Sequence, residues 1–156
     1  MCIRDSLLPV AALALLAYAT FVTLSDARDL VARSKAPDQY ADAALWLREN
    51  AEGDLRLFQT DWDDFTRLFF YGSTTATYTA GLDPTFMELH DAELFDQWVD
   101  ITRGDVERPA TIIRQRFGAN YVFSDLNHED FIEQATADPG LQEIYRDQDA
   151  VIFALR

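Results

Sequence analysis

Four consecutive residues in the middle of the chain form its clearest pattern with chemical potential. Asp61, Trp62, Asp63 and Asp64 directly follow a short apolar segment with strand character. Carboxylates at the carboxyl end of a strand serve as nucleophile and acid in phosphotransferases of the haloacid-dehalogenase kind. In nucleotide-sugar transferases they hold a divalent metal. The pattern therefore suggests catalysis or metal binding.

Both catalytic interpretations lack their other components. The phosphotransferase needs a downstream lysine, and Lys35, the only lysine, lies upstream. The transferase needs a nucleotide-binding half before the motif, but the motif begins about 25 residues after position 36. A simpler interpretation is that Asp61 caps a helix and that Asp63 and Asp64 favour its N-terminal dipole. A metal-dependent hydrolase that uses Asp61 and Asp63 is therefore a weak functional hypothesis, less favoured than the two that are given below.

The remaining motifs give no catalytic centre. His90 and His128 have no partner four residues away, which argues against zinc, and we expect His128 at the protein surface. The sequence has no Gly-x-Ser-x-Gly elbow and no glycine-rich phosphate loop. Asp125 and Glu129 bracket a predicted strand end, the usual ligand edge of an α/β sheet, but without a partner motif we expect caps and solvated acids. We therefore predict no catalytic residue, no metal and no cofactor.

Aromatic residues are unusually dense just after the acidic motif. Six fall within 17 residues: Trp62, Phe65, Phe69, Phe70, Tyr71 and Tyr78. Such a cluster can stack on sugar rings or lie against lipid, although large aromatic side chains more often form the core.

The elements that position these residues alternate between helix and strand. The patterns predict helices at 37–50, 61–70, 84–103 (broken near 90–91), 108–117 and 129–137, with strands at 55–60, 76–79 and 121–124 and a hairpin of 141–146 with 150–155. Asp83 and Asn127 are the expected caps of the helices that follow them. The predicted fold class is α/β, with a small mixed sheet, mainly parallel, flanked by helices and closed by the C-terminal β-hairpin.

The start of the chain predicts export. Residues 7–24 carry no charge, and at 1.5 Å per residue they just cross a bilayer core of about 30 Å. The alternative is a cleaved signal peptide, because Ala17-Tyr18-Ala19 has the form of a cleavage site. Arg4 favours a cytoplasmic N-terminus, so both alternatives place residues 25–156 outside the cytoplasm, as a linker (25–36) and a soluble α/β domain (37–156).

The first six residues, MCIRDS, resemble an adapter-derived opening that recurs in genes from metagenomic assemblies. We expect them to be an artefact and the true protein to begin further upstream. Cys2, the only cysteine, lies in this segment, so the exported domain has no thiol and no disulfide.

The exported part is strongly acidic. Residues 1–24 contain one acid, Asp5, and one base, Arg4, so 26 acids and 12 bases lie in residues 25–156. Such a surface repels phosphate backbones and anionic headgroups, which argues against nucleic-acid partners and against peripheral adsorption to a membrane. Any membrane anchoring must therefore come from hydrophobicity.

The order of residues across 37–155 resembles the C-terminal exported domain of polytopic GT-C-type membrane glycosyltransferases, the mannosyltransferase-like proteins that use polyprenyl-phosphate sugars. The resemblance is carried by Trp46-Leu47, by Asp61-Trp62 with the aromatic cluster, by Tyr78-x-x-Gly-Leu-Asp-Pro84, and by Phe95, Trp98, Phe117-Gly118-Ala119, Tyr121-Val122-Phe123 and the closing hairpin. Only the segment from Tyr78 to Pro84 is moderately specific.

The resemblance implies an accessory extracytoplasmic domain beside a catalytic membrane region that this chain lacks. Its implied partners are the membrane, the rest of the parent enzyme, and a polyprenyl-phosphate sugar or glycan acceptor. The residues implied for acceptor contact or for packing on the membrane part are Asp61, Trp62, Tyr71, Tyr78 and Asp83. The second hypothesis is a complete single-span or secreted α/β domain that binds carbohydrate or another small ligand through the aromatic cluster.

Overall fold

The computed structural model describes residues 4–156, without the side chains of residues 4–8 and of Arg33. The first three residues of the expected artefact, Cys2 among them, lie outside this part of the chain. The described chain divides into two units at Ala36/Pro37.

The first unit is dominated by one long helix, α1 (Arg4–Arg33). Its segment Pro9–Ala32 is long and apolar enough to cross a membrane, although a signal sequence near an N-terminus meets the same criteria. The helix includes the predicted span 7–24 and continues through residues 25–33, which form most of the predicted linker.

The second unit contains six helices and five strands among the described residues. The helices are α2 (Ala41–Asn50), α3 (Phe65–Tyr71), α4 (Thr85–His90), α5 (Ala92–Thr102), α6 (Ala110–Phe117) and α7 (Glu129–Ala137). The strands are β1 (Arg56–Gln59), β2 (Thr77–Tyr78), β3 (Tyr121–Asp125), β4 (Leu141–Arg146) and β5 (Ala150–Leu155). The predicted break near residues 90–91 is present because Asp91 is extended and its carboxylate accepts a hydrogen bond from Leu94 N, which starts a new helix.

The strands form one mixed sheet in the order β2-β1-β3-β5-β4. In the described chain β1 pairs in parallel with β2 and β3, whereas β5 pairs antiparallel with β3 and β4. The predicted mixed α/β sheet is therefore present, but the expectation that it is mainly parallel is not confirmed. The reason is the closing hairpin: a short turn makes β4 and β5 antiparallel, and β5 rather than β4 docks against β3.

Alternating side chains of the strands build two apolar layers. Phe58, Val122 and Phe153 face one layer, which includes Trp98 of α5 and Ile113 of α6. On the other side, Leu57, Phe123 and Ile152 pack with Leu47 of α2 and Leu68 of α3. The sheet is thus covered on both faces, and its strand ends remain available for polar groups.

Two predicted helix caps are wrong. Helix α3 begins at Phe65, and the backbone oxygen of Asp64 accepts its early hydrogen bonds, while the Asp61 carboxylate accepts from Asp63 N in the preceding turn. Helix α7 is preceded by His128, and the Asn127 side chain instead donates to Asp125. In both places a carboxylate organises a turn before the helix.

Candidate functional site

The carboxyl ends of β1 and β3 lie side by side because the two strands are parallel neighbours. Thr60, the first residue after β1, donates its backbone N–H to Phe123 O (3.2 Å) and its hydroxyl to the hydroxyl of Ser124 (3.1 Å). The chain then turns towards α3 after one strand and towards α7 after the other. Polar residues of both turns therefore meet at one edge of the sheet, the usual place for ligands in such folds.

Asp125 is the best-anchored carboxylate at this edge. Its side chain is buried and accepts three hydrogen bonds: from Asn127 N (3.2 Å), Asn127 Nδ2 (2.9 Å) and His128 Nδ1 (2.5 Å). Charge-assisted bonds of this kind offset the cost of burying a carboxylate. Asp125 therefore holds the loop between β3 and α7 in one conformation.

His128 is half-buried, and its surroundings raise its pKa. The hydrogen bond to Asp125 raises the pKa of His128 above its ordinary value of 6.5, and the negative charges of Asp125, Asp61 and Asp64 add to this effect. Partial burial of the ring opposes the rise but does not cancel it. More of this imidazole is therefore protonated near neutral pH than that of a free histidine.

Three carboxylates cluster at this edge of the sheet. Asp61, Asp64 and Asp125 each place an oxygen within 4.8 Å of the others, and Asp64 and Asp125 are buried. Close carboxylates repel one another, so the arrangement favours a positive neighbour such as protonated His128, and its oxygen donors are the type that Mg²⁺ or Ca²⁺ prefers. These are the residues that could hold a metal ion, and exposed Asp63 of the predicted Asp61/Asp63 pair is not among them.

A cavity of about 610 Å³ opens beside these groups. We call it the strand-end cavity; its polar lining includes Thr60, Asp61, Thr102, Asn127 and His128. Trp98 forms part of the wall, and its indole N–H donates to Gln59 O (3.1 Å), which fixes the ring. Hydroxyl, amide, imidazole and carboxylate groups in one cavity can exchange hydrogen bonds with a small polyhydroxylated molecule.

Two of the sequence-predicted site residues line a different cavity, of about 430 Å³. Tyr78 donates its hydroxyl to Leu68 O (3.2 Å), and burial raises the pKa of Tyr78 to about 12. Hydrogen bonds from the Thr85 side chain and from Thr85 N (2.8 Å) lower the pKa of Asp83, and the bond from Thr85 N supports the predicted cap of α4. The contacts of both residues hold secondary structure together.

The other two predicted residues lie outside the described linings of both cavities. Trp62 is 41% exposed, and the Tyr71 hydroxyl donates to Pro37 O (3.4 Å). The five predicted residues therefore do not form one site: Asp61 borders the strand-end cavity, Tyr78 and Asp83 share the second cavity, and Trp62 and Tyr71 stand apart from both.

The structure corrects the expectations for Asp125 and His128. Asp125 is a buried carboxylate rather than a solvated one, and His128 is half-buried against it rather than on the surface. An aspartate that ends an apolar strand and has a histidine three residues later was the available signal. Asp64 had no comparable signal, because its burial depends on how the turn before α3 folds back.

Comparison with known proteins shows a likeness of fold and no match of sequence. The chain matches no known protein-family profile and no curated protein sequence. Its structure is similar to the crystal structure of the C-terminal globular domain of oligosaccharyltransferase from Archaeoglobus fulgidus, with a TM-score of 0.55 and 13% sequence identity. The likeness covers 79% of this chain and 100% of that domain, and at this identity it concerns the fold.

Proposed function

We propose that this chain provides the accessory extracytoplasmic C-terminal domain of an integral-membrane glycosyltransferase and is not catalytic alone. The observation that carries the proposal is the fold likeness to the whole C-terminal globular domain of an oligosaccharyltransferase. The resemblance noted in the sequence names the same type of domain on independent grounds. Helix α1, with its membrane-compatible segment Pro9–Ala32, agrees with membrane attachment.

Sequencing the genomic DNA upstream of codon 7 tests this proposal. The expected result is an open reading frame that continues upstream in the same frame and encodes several further apolar spans. A native start codon next to codon 7, preceded by an in-frame stop codon, would limit the protein to one membrane helix and contradict the proposal.

Within this function, the strand-end cavity is our candidate for contact with the hydroxyl groups of a glycan acceptor. Asp61 borders the cavity and offers a strong acceptor for sugar hydroxyls, and Trp62, the next residue along the chain, offers an exposed apolar ring outside the cavity lining. Tyr71, Tyr78 and Asp83 contribute indirectly, because their contacts fix the segments around α3 and α4.

A second candidate function is a self-sufficient carbohydrate-binding domain, favoured by the fact that the strand-end cavity is complete within residues 60–131. It predicts that the purified full chain in detergent binds methyl α-D-mannopyranoside, detected by saturation-transfer NMR. Asp61→Asn and Trp62→Ala should abolish the signal, and Asp63→Asn, which changes an exposed neighbour, should retain it. Equal signals from the Asp61 and Asp63 variants would exclude the strand-end cavity as the binding site.

A further inference from the structure

The second unit exposes its large hydrophobic side chains in one segment only. Among the described residues 37–156, those left exposed all lie between positions 62 and 89: Trp62 (41%), Phe69 (43%), Phe70 (78%), Leu82 (69%), Phe86 (70%) and Leu89 (80%). We call this set the apolar face. The rest of the unit buries its large apolar groups at least in part, so the concentration here is a property of one region.

The members of the apolar face are connected through partly buried neighbours. The Phe65 ring lies 5.6 Å from the Phe69 ring and 5.2 Å from the Tyr78 ring, and Gly81 packs against its edge. Leu82 follows Gly81 directly, and Phe86 lines the same cavity as Tyr78 and Gly81. Phe69, Leu82 and Phe86 are therefore linked through these neighbours beside β2, at one edge of the sheet, and Phe70 and Leu89 lie on the same helices, α3 and α4.

A surface of this kind indicates a partner. Soluble proteins expose single hydrophobic residues often but contiguous patches rarely, because apolar area left in water costs about 25 cal/mol per Å². The exposed rings make few of the contacts that hold the core together, so the folding of the unit does not account for them.

One member of the apolar face, Phe70, is linked through Tyr71 to the first residue of the second unit. The Tyr71 hydroxyl donates to the backbone oxygen of Pro37, the first residue of the unit, and the Phe70 ring lies 4.9 Å from the Tyr71 ring. Only residues 34–36 separate Pro37 from the last residue of α1. At 3.8 Å between consecutive Cα atoms, this stretch of chain spans about 15 Å at most.

The shape and charge of the surroundings select the type of partner. Phe70, Phe86 and Leu89 project with 70–80% of their surface free, and fluid lipid can close around such side chains, whereas a rigid protein would need a separate pocket for each. Tryptophan is also enriched at the membrane–water interface, and Trp, Phe and Leu form the lipid-facing side of helices that lie in this interface. With 26 acids against 12 bases in residues 25–156, attraction to anionic lipid is excluded.

We propose that the apolar face inserts into the interfacial region of a zwitterionic lipid bilayer and thereby holds the domain against the membrane. The inference rests on the proposed membrane attachment of the chain and adds a second, folded contact with lipid. It assigns to Phe70, Phe86 and Leu89 a role separate from the strand-end cavity.

The test uses the full chain in phosphatidylcholine vesicles. In a Cys2→Ser background, Phe86→Cys and, as the matched control on α7, Thr136→Cys each receive an environment-sensitive nitrobenzoxadiazole label. We expect the label at position 86 to shift its emission to the blue and to be quenched by doxyl-labelled lipid about twofold or more over the control, because only position 86 meets lipid. Leu89→Cys should repeat the result.

Each alternative outcome has a distinct meaning. If the chain floats with the vesicles but the labels at positions 86 and 136 behave alike, the lipid contact is wrong and membrane attachment stands. If the label at position 86 is shielded from water but is not quenched by doxyl lipid, the proposed lipid contact is wrong and the apolar face contacts protein instead. A chain that does not float with the vesicles would overturn both the inference and the proposed attachment.

Discussion

The strand-end cavity and the apolar face differ in how the fold accommodates side chains outside the apolar core. Beside the cavity a polar group is buried and hydrogen-bonded, and on the apolar face large hydrophobic groups are exposed. At the strand ends, buried Asp125 is matched by three donors from Asn127 and His128. On the apolar face, Phe70, Phe86 and Leu89 remain largely exposed. The buried Asp125 carboxylate of the first region has its partners within the fold, whereas the exposed side chains of the second region are not covered by it.

The two regions should therefore contribute differently to the free energy of folding and to contact with a partner. A satisfied polar network contributes to folding, since breaking it leaves buried groups without partners. An exposed apolar surface contributes little to folding and gains its stabilisation from whatever covers it. Substitutions at the strand ends should therefore lower the free energy of unfolding, whereas substitutions on the apolar face should hardly change it. Four predictions test this contrast, from the largest expected effect to the smallest.

Removing the anchor of the cavity should cost the most. Asp125→Ala deletes the acceptor of three hydrogen bonds at a buried position and should lower the free energy of unfolding by about 2–4 kcal/mol. Urea denaturation in mild detergent measures the loss. Glu133→Ala, which removes an exposed carboxylate from α7, is the control and should change the value by less than about 0.5 kcal/mol. Similar losses in the two variants would show that Asp125 does not anchor the region.

Gly104, which packs against the cavity residue Asp130, should tolerate no added side chain. This residue has φ +79°, and a Cβ there would lie 2.6 Å from the backbone carbonyl carbon of Asp130. Gly104→Ala should therefore lower the free energy of unfolding by about 2–3 kcal/mol. Gly53 has a similar φ of +70° but open space around it, so Gly53→Ala should cost about 1 kcal/mol. Equal costs would mean that backbone conformation, and not the contact with Asp130, sets the effect.

The contribution of His128 should depend on pH. Because its pKa is raised in the folded state, chiefly by the hydrogen bond to Asp125, its stabilisation is fully present below pH 6.5 and is lost as the pH rises through the folded-state pKa. His128→Gln should therefore reduce the free energy of unfolding more at about pH 6 than at about pH 9.

The same measurement in an Asp125→Asn background provides the control for this pH dependence. Without the carboxylate, most of the pH-dependent difference between His128 and Gln should disappear. If the difference persists unchanged, the pKa shift has another origin, and NMR titration of the imidazole would identify its midpoint directly.

Substitutions on the apolar face should have the smallest effect on folding. Phe86→Ser and Leu89→Ser should each change the free energy of unfolding by less than about 0.5 kcal/mol, since 70% and 80% of these side chains already meet solvent. Phe131→Ala, at a fully buried position of α7, should cost about 3–5 kcal/mol in the same assay. A loss above about 1.5 kcal/mol at Phe86 would mean that the apolar face packs within the fold.

Local patterns predicted most of the elements. The hairpin of β4 and β5, the break between α4 and α5, and the cap provided by Asp83 follow from turn residues and periodicity close to each position. The direction of strand pairing was harder to predict. Residues 141–155 indicate a hairpin, but nothing in them states that β5 would lie beside β3 and add antiparallel pairs on that side.

The candidate site was predictable only in part. Asp61 belongs to a visible motif, whereas Asp64, Asp125 and His128 meet it only because β1 and β3 are neighbours and their following turns fold towards each other. The aromatic cluster was visible as a composition, but the sequence could not divide it. Phe65 and Tyr78 became partly buried, whereas Phe70 stayed exposed.

The sequence by itself determined the apolar helix, the acidic balance and the order of helices and strands, because these depend on residue type and on neighbours within a few positions. The tertiary structure alone decided which carboxylates cluster at the ends of β1 and β3 and which aromatic rings stay exposed. The physical reason is that burial and hydrogen-bond partnership are set by contacts between residues about 60 positions apart, such as Thr60 with Ser124.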